Sequence, residues 1–232
     1  MVNAEFSNLT VEQVEQFEVY YRELVLWNKR TNLTRITDYK DVQMKHFADS
    51  VTPLGVINIS TRGVLKCMDV GSGAGFPGLP LKILIPSINL SLVESVGKKA
   101  RFLEHLVKKI GLHDVTIYNN RAEILGRDDT LREAFDLVLA RALGSMTVVA
   151  ELTLPFSRIG GQVIVFKKGR ISQEMKDSQR AIIKLGGKLS GCHPTQIPGI
   201  DDNRTLVILD KVTNTPAVYP RKAGMPKKRP LI

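Results

Sequence analysis

The sequence has few cysteines, no long apolar run and no strong compositional bias, and each shortage excludes a class of protein. Two cysteines among 232 residues, Cys67 and Cys192, cannot form a disulfide scaffold or a zinc site. No apolar run approaches the roughly 18 residues of a membrane span, and the opening MVNAEFSNLT lacks the basic and apolar parts of a secretory signal. With 43% hydrophobic and 24% charged residues, global disorder is excluded. We therefore expect a reduced, cytoplasmic protein with no membrane partner.

Acidic residues are scarce at the carboxyl-terminal end. Lys and Arg number 33 against 23 Asp and Glu, which gives a net charge of +10. Residues 1–61 hold six basic and eight acidic residues, whereas residues 219–232 hold five cations and no acid. Smaller basic clusters occur at 98–101 and 167–170. This distribution favours a polyanionic partner, nucleic acid above all; a basic surface that serves only solubility is the alternative.

A helical pattern precedes an alternating one. The spacing of three and four residues between Val14, Phe17, Tyr21, Leu24 and Asn28 predicts an amphipathic helix, which begins with a capping box of Thr10 and Gln13. A weaker helical stretch follows at 38–51. We divide the chain into three parts: a helical cap over 1–61, an α/β domain over 62–212, and a basic proline-rich tail over 213–232.

Short apolar runs and amphipathic stretches then alternate. Strands are predicted at 64–70, 89–94, 115–119, 136–141, 162–167 and 204–212, with one more at 188–197. Helices are predicted at 98–111 and 173–185. This alternation is typical of an α/β domain with a doubly wound, mostly parallel sheet.

The strongest motif is MDVGSGAGFPG at 68–78. Asp69 ends the first predicted strand, and Gly71, Gly73 and Gly75 alternate after it. Glycine permits positive φ and lets a ligand lie against bare backbone. We expect that ligand outside the carboxyl end of the strand, where open α/β sheets bind their ligands.

Two ligands compete for this loop. Gly73, Gly75 and Gly78 satisfy the spacing of the dinucleotide fingerprint, which would indicate an NAD-binding dehydrogenase. Asp69, however, disfavours a diphosphate and suits a cationic group. S-adenosylmethionine (SAM) carries an ammonium and a sulfonium and no phosphate, so we favour SAM. Glu94, after the next strand, would accept both ribose hydroxyls; a charge at a helix N-terminus is its alternative role.

The sequence offers neither a paired acid and base nor a placed nucleophile. Residues 140–143 (Ala-Arg-Ala-Leu) replace the Asn/Asp-Pro-Pro-aromatic element of amine methylation, and we interpret both cysteines as packing residues. Guanine N7 would fit as acceptor because it has no proton to lose and needs only alignment and desolvation. Arg141 could hydrogen-bond guanine O6; an ion pair with Glu123 or a role toward the cofactor is the alternative. Ribose, protein and small-molecule acceptors stay open.

Eight segments, in this order, resemble one family. They are WNKRTNLT at 27–34, HFADS at 46–50, DVGSGAGFPG at 69–78, KKARFL at 98–103, RAE at 121–123, FDLVLARAL at 135–143, the pair Gly160-Gly161, and YPRKAGMPKKRPL at 219–231. The chain resembles the bacterial 16S rRNA guanine-N7 methyltransferases, also called glucose-inhibited division protein B. The resemblance implies a Rossmann-like SAM-dependent methyltransferase fold with an antiparallel C-terminal strand and an N-terminal helical extension. It also implies methylation of guanine N7 in the 530 loop of 16S rRNA, in the RNA or a small-subunit precursor.

The resemblance and the loop together give a set of expected site residues. Cofactor contacts are expected at Asp69, Gly71, Gly73, Gly75, Phe76, Glu94, Ala122, Glu123 and Arg141. Arg121 and Arg141 would line the pocket mouth and are the catalytic candidates; no metal is expected. RNA contacts are expected at Lys98, Lys99, Lys167, Arg204, Arg221, Lys222, Lys227, Lys228 and Arg229. A methyltransferase on another RNA site or small molecule, and a non-catalytic RNA-binding module, are the alternative functions.

Two further expectations concern the ends of the chain. We interpret Trp27, Asn28, Asn32 and His46 as residues that fix the cap, so that His46 is not a general base. The tail is predicted to be poorly packed and mobile until it binds rRNA, and remote from the cofactor. Packing of the tail onto the sheet through Tyr219 and Pro220 is the alternative. We also expect a monomer.

Overall fold

The sheet is the frame of the molecule. The computed structural model describes residues 9–57 and 63–231, within which seven strands form one sheet in the order β3-β2-β1-β4-β5-β7-β6. The strands are β1 (Lys66–Val70), β2 (Asn89–Val93), β3 (Val115–Tyr118), β4 (Phe135–Arg141), β5 (Ser157–Lys168), β6 (Gly187–Ile197) and β7 (Ile200–Lys211). Strands β1 to β5 pair in parallel, whereas β7 runs antiparallel to both β5 and β6. The predicted mostly parallel α/β fold with a reversed C-terminal strand is confirmed.

Alternation along the strands produces two apolar cores, one on each face of the sheet. Successive side chains point to opposite faces, so Cys67 and Leu137 join one cluster while Met68 and Val138 join the other. The first cluster contains Tyr20 and other residues of the N-terminal helices. These helices therefore share a core with the sheet. The predicted boundary near Thr61 lies outside the described residues.

The helices cover both faces. They are α1 (Val11–Thr31), α2 (Tyr39–Val42), α3 (Asp49–Val51), α4 (Gly78–Leu84), α5 (Gly97–Lys109), α6 (Ala122–Leu125), α7 (Met146–Thr153), α8 (Ser172–Lys184) and α9 (Met225–Lys228). A π-helical segment, Gln43–Ala48, joins α2 to α3, and a 3-10 turn, Thr52–Gly55, follows. The predicted capping box of Thr10 and Gln13 is present at the start of α1. Across residues 9–57 and 63–231, no helix is long and apolar enough to cross a membrane.

The tail is packed against the domain, so the prediction of a poorly packed segment is wrong. Tyr219 is buried in the second core. Arg132 donates hydrogen bonds to the carbonyls of Tyr219 (2.9 Å) and Thr215 (2.6 Å). The tail also forms helix α9, in which Pro226 stands in the first turn, where its missing N–H costs nothing. These long-range contacts therefore keep the tail packed on the domain despite its basic, proline-rich composition.

Candidate active site

The glycine-rich loop follows β1 and lies at the carboxyl end of the sheet. Backbone N–H groups of Gly71 and Ser72 both donate to the carbonyl of Val93 on β2, at 2.8 and 3.0 Å. Gly71, Gly73 and Gly75 have φ angles of +77°, +58° and +97°. Residues with a side chain rarely adopt such φ angles, so these three positions require glycine.

The three glycines face different surroundings. A Cβ on Gly75 would lie 2.5 Å from Leu79 and 2.7 Å from the Tyr20 hydroxyl, and one on Gly71 would lie 2.6 Å from Leu143. A Cβ on Gly73 would meet only the Gly71 carbonyl, at 3.9 Å. Gly75 and Gly71 therefore serve close packing, whereas Gly73 borders open space.

An aromatic stack supports the loop from the side of α1. Tyr20 donates a 2.6 Å hydrogen bond to the carbonyl of Ala74. Its ring stacks on Phe76, with centroids 5.2 Å apart, and His46 stacks on Phe76 at 4.5 Å. Phe76, expected at the cofactor, thus belongs to an interior stack that links the loop to the N-terminal helices.

Two acidic side chains hold the loop. Asp69 is fully buried, and its Oδ2 accepts from the Gly78 N–H at 3.0 Å. Burial raises the pKa of Asp69 to about 7. Glu94 accepts from the N–H groups of Gly73 (2.9 Å) and Val96 (2.7 Å) through its two oxygens. Glu94 therefore lies directly on the loop.

A cavity of about 220 Å³ opens between the loop and α6. Gly71, Ala122, Glu123 and Leu143 line it, and Arg121 stands exposed at its edge. Sequence analysis did not foresee the remaining wall, which comes from the tail residues Gly224, Pro226 and Lys227. Gly224 donates its N–H to Glu123 Oε1 at 2.8 Å. The tail is therefore in contact with an expected cofactor residue.

Arg141, at the end of β4, pairs with the HFADS segment. Its Nη1 donates to Asp49 at 2.9 Å, its Nη2 lies 3.2 Å from His46 Nδ1, and its Cζ lies 5.0 Å from the Phe76 ring centre. The alternative partner, Glu123, was wrong. Asp49 also forms a 2.5 Å ion pair with Arg204 of β7, so one carboxylate holds two arginines. Asp49 belongs to the HFADS motif at 46–50, but the sequence analysis assigned no role to it.

His46 is a neutral interior residue. Burial and then the charge of Arg141 lower the pKa of His46 to about 3. With Nδ1 accepting from Arg141, Nε2 donates to Thr34 Oγ1 at 2.8 Å. Both ring nitrogens are thus engaged, as the cap-fixing role of His46 requires.

A second cavity, of about 290 Å³, lies beside the first, and Leu143 lines both. Asp49, Arg141, Phe166 and Lys167 are among its lining residues. Lys167 Nζ bonds Glu174 at 2.7 Å and the Gly144 carbonyl at 2.9 Å. The second cavity thus combines cations with an aromatic ring at the end of β4 and β5.

The expected RNA-binding residues divide into accessible and engaged ones. Lys98, Lys222, Lys227, Lys228 and Arg229 are exposed, and Lys99 is half-buried. Lys167 is held by Glu174.

Arg204 and Arg221 are engaged in ion pairs with acidic side chains. Arg204 is 4% exposed and held by Asp49 and Asp202, whereas Arg221 pairs with the buried Glu151. Their positive charges are therefore partly balanced by these acids, unlike those of the exposed lysines.

The cysteines differ from each other. Cys67 is buried in β1, and burial raises the pKa of its thiol. Cys192 is exposed on the edge strand β6, so its interpretation as a packing residue was wrong. Neither thiol lines the two cavities.

The chain is similar to known proteins over most of its length. A family model described as rRNA small subunit methyltransferase G matches residues 13–204. A protein named ribosomal RNA small subunit methyltransferase G from Dehalococcoides mccartyi is 51% identical over 97% of this chain and 94% of its own length. One of the same name from Lactobacillus johnsonii is 44% identical over 96% and 93%. The structure of M. jannaschii TYW2 in complex with AdoMet shares the fold, with TM-score 0.51, 15% identity, and coverage of 65% and 71%.

Proposed function

Because this chain belongs to the rRNA small subunit methyltransferase G family, we propose that it methylates N7 of a guanine in the 530 loop of 16S rRNA. Membership of the family makes the chain a SAM-dependent methyltransferase that acts on rRNA. The dehydrogenase and the non-catalytic binding module are thereby set aside. The atom, the nucleotide and the mechanism are the finer parts of the proposal.

The loop and its neighbours fit SAM. Gly73 borders open space and has a φ angle that residues with a side chain disfavour. Glu94, the residue expected to accept the ribose hydroxyls, is hydrogen-bonded to Gly73, so the loop and this carboxylate lie together. When bound, SAM supplies a methyl group on a sulfonium. We assign Glu94 to the ribose and the cavity at Ala122 and Glu123 to the adenine. Asp69 holds the loop from beneath through Gly78.

The second cavity is our candidate for the acceptor base. Leu143 lines both cavities, so a guanine in the second cavity would lie next to the first, in which we place the cofactor. Arg141 and Lys167 carry N–H groups that can donate hydrogen bonds to guanine O6. Arg121, exposed at the edge of the first cavity, is assigned to an rRNA phosphate.

The choice of guanine N7 as acceptor rests on His46, which is neutral and has both ring nitrogens in hydrogen bonds. Its pKa of about 3 and its two occupied nitrogens leave it unable to remove a proton near neutral pH. Asp49, beside it, is held between two arginines. N7 requires no deprotonation, and these residues need only orient and desolvate it. We therefore expect the rate of the methyl-transfer step to change little between about pH 6 and 8.5.

The test is transfer of a labelled methyl group to naked 16S rRNA and to small ribosomal subunits, followed by chemical mapping. N7-methylguanine is opened by borohydride and cleaved by aniline, whereas N2-methyl and ribose-methyl products resist. We expect one cleavage site, in the 530 loop, with at least one of the two substrates, and none with Gly73→Val. Label that resists cleavage would overturn the choice of N7, and cleavage elsewhere would overturn the choice of nucleotide.

A further inference from the structure

The C-terminal segment, residues 219–229, is held to the domain by directed bonds at several points. Arg221 bonds the fully buried Glu151 of α7 through its backbone N–H (2.8 Å), its Nε (2.9 Å) and its Nη2 (2.6 Å). Arg127 Nε donates to the Pro220 carbonyl at 2.9 Å. Bonds from a charged donor to a buried carboxylate are among the stronger ones in proteins. The segment is therefore fixed before it reaches the first cavity.

Beyond this anchor the chain touches an expected cofactor residue. Gly224 adopts φ +81° and donates its N–H to Glu123 Oε1 at 2.8 Å. A carboxylate accepts at both oxygens, so Oε2 stays available to a ligand donor in the cavity. Pro226, which is buried, and Lys227 line the same cavity on its outer side.

We propose that the C-terminal segment is part of the cofactor site. The Gly224 N–H orients the Glu123 carboxylate toward the exocyclic amine of adenine, and Pro226 with Lys227 excludes water from that end of the cavity. This inference rests on the proposed function, since it takes the first cavity as the adenosine subsite. Gly224 acts as a positioning residue, because it reaches the ligand through Glu123.

The experiment is calorimetric binding of SAM and of its demethylated product to the full chain and to a chain that ends at Ala223. The shortened chain keeps the Arg221–Glu151 anchor and loses the wall. We expect both ligands to bind at least tenfold more weakly, by a similar factor, because they share the adenosine. A chain that ends at Arg229 is the matched control, since it keeps the wall, and we expect wild-type affinities for it.

A second variant covers the case in which the shortened chain does not fold. Gly224→Val keeps every anchor, and its Cβ would meet nothing within 4 Å, so it acts through the backbone angle alone. A β-branched residue disfavours φ +81°, which moves the N–H away from Glu123. We expect weaker binding of both ligands. Unchanged affinities in a folded shortened chain, or in Gly224→Val, would overturn the inference alone. Failure of the wild-type chain to bind either ligand would instead contradict the proposed function.

Discussion

The carboxylate of Asp49 joins the N-terminal helices to strands β4 and β7 through charge. It accepts from Arg141 at 2.9 Å and pairs with Arg204 at 2.5 Å, and it is 4% exposed. Asp49→Asn keeps the shape of the side chain and removes its charge. Arg204 would keep its ion pair with Asp202, whereas the guanidinium of Arg141, which is largely shielded from water, would face a neutral amide and the charge of Arg204.

The cost of this change is large because the side chains of Asp49, Arg141 and Arg204 are only slightly exposed to solvent. Removing one partner of a buried ion pair costs about 3–5 kcal/mol, since an uncompensated charge remains. That is a substantial part of the roughly 5–15 kcal/mol by which domains are stable. At about 2–4 °C per kcal/mol for a chain of this length, we expect the melting temperature to fall by about 10 °C.

Urea unfolding of Asp49→Asn beside Asp41→Asn checks this reasoning. Asp41 pairs with Lys45 four residues later at 2.8 Å, but both side chains are more than a third exposed, so its loss should cost only about 0–1 kcal/mol. The Asp49 variant should keep its deficit in 1 M salt, because buried pairs are screened little. If Asp49→Asn were as stable as Asp41→Asn, the account of the paired arginines would be refuted.

Three further predictions concern the loop, the interior histidine and the tail cations. Gly73→Ala should weaken SAM binding and lower the melting temperature only by the backbone strain at its φ of +58°, whereas Gly75→Ala should lower the melting temperature further, because its Cβ would also collide with packed side chains; equal thermal effects in both variants would contradict this. The pKa of His46 falls from 6.5 to about 3 on folding, so the folded state is favoured fully only above pH 6.5, where His46 is neutral in both states. As pH falls from 6.5 toward 3, the free energy of unfolding should decrease by up to about 1.4 kcal/mol per pH unit. Urea unfolding at several pH values should show a smaller decrease per pH unit in His46→Gln. Replacing Lys228 and Arg229 by alanine should lower the slope of log rRNA affinity against log salt by about 0.7–0.9 for each phosphate that is no longer neutralised, and an unchanged slope would remove both from the RNA surface.

Much of the fold could be predicted because it depends on local periodicity. Each predicted strand is present with its ends shifted by a few residues, since alternation and flanking glycines mark a buried strand directly. β5 extends back to Ser157, beyond the predicted start at residue 162. Its early residues are largely exposed and lack the apolar signal by which a strand is recognised.

The contacts of the site could not be predicted in the same way, because they join residues far apart without any shared period. Arg141 and Asp49 are separated by 92 residues, and Arg221 and Glu151 by 70. Composition marked Arg221 as a free cation, whereas its partner is an acid buried within an apolar helix. Only the packing of α7 beneath the tail brings the two together.

The hydrogen bond from Tyr20 to Ala74 ties α1 to the stability of a loop that α1 does not belong to. A ligand present at 100 times its Kd adds about 2.7 kcal/mol to the folded state. Amide protons of α1 that exchange only when the loop opens should therefore exchange about a hundredfold more slowly once the loop is occupied, although α1 lies behind the loop. Deuterium uptake in Val11–Thr31 thus becomes a remote reporter of occupancy, readable at residues that line neither cavity.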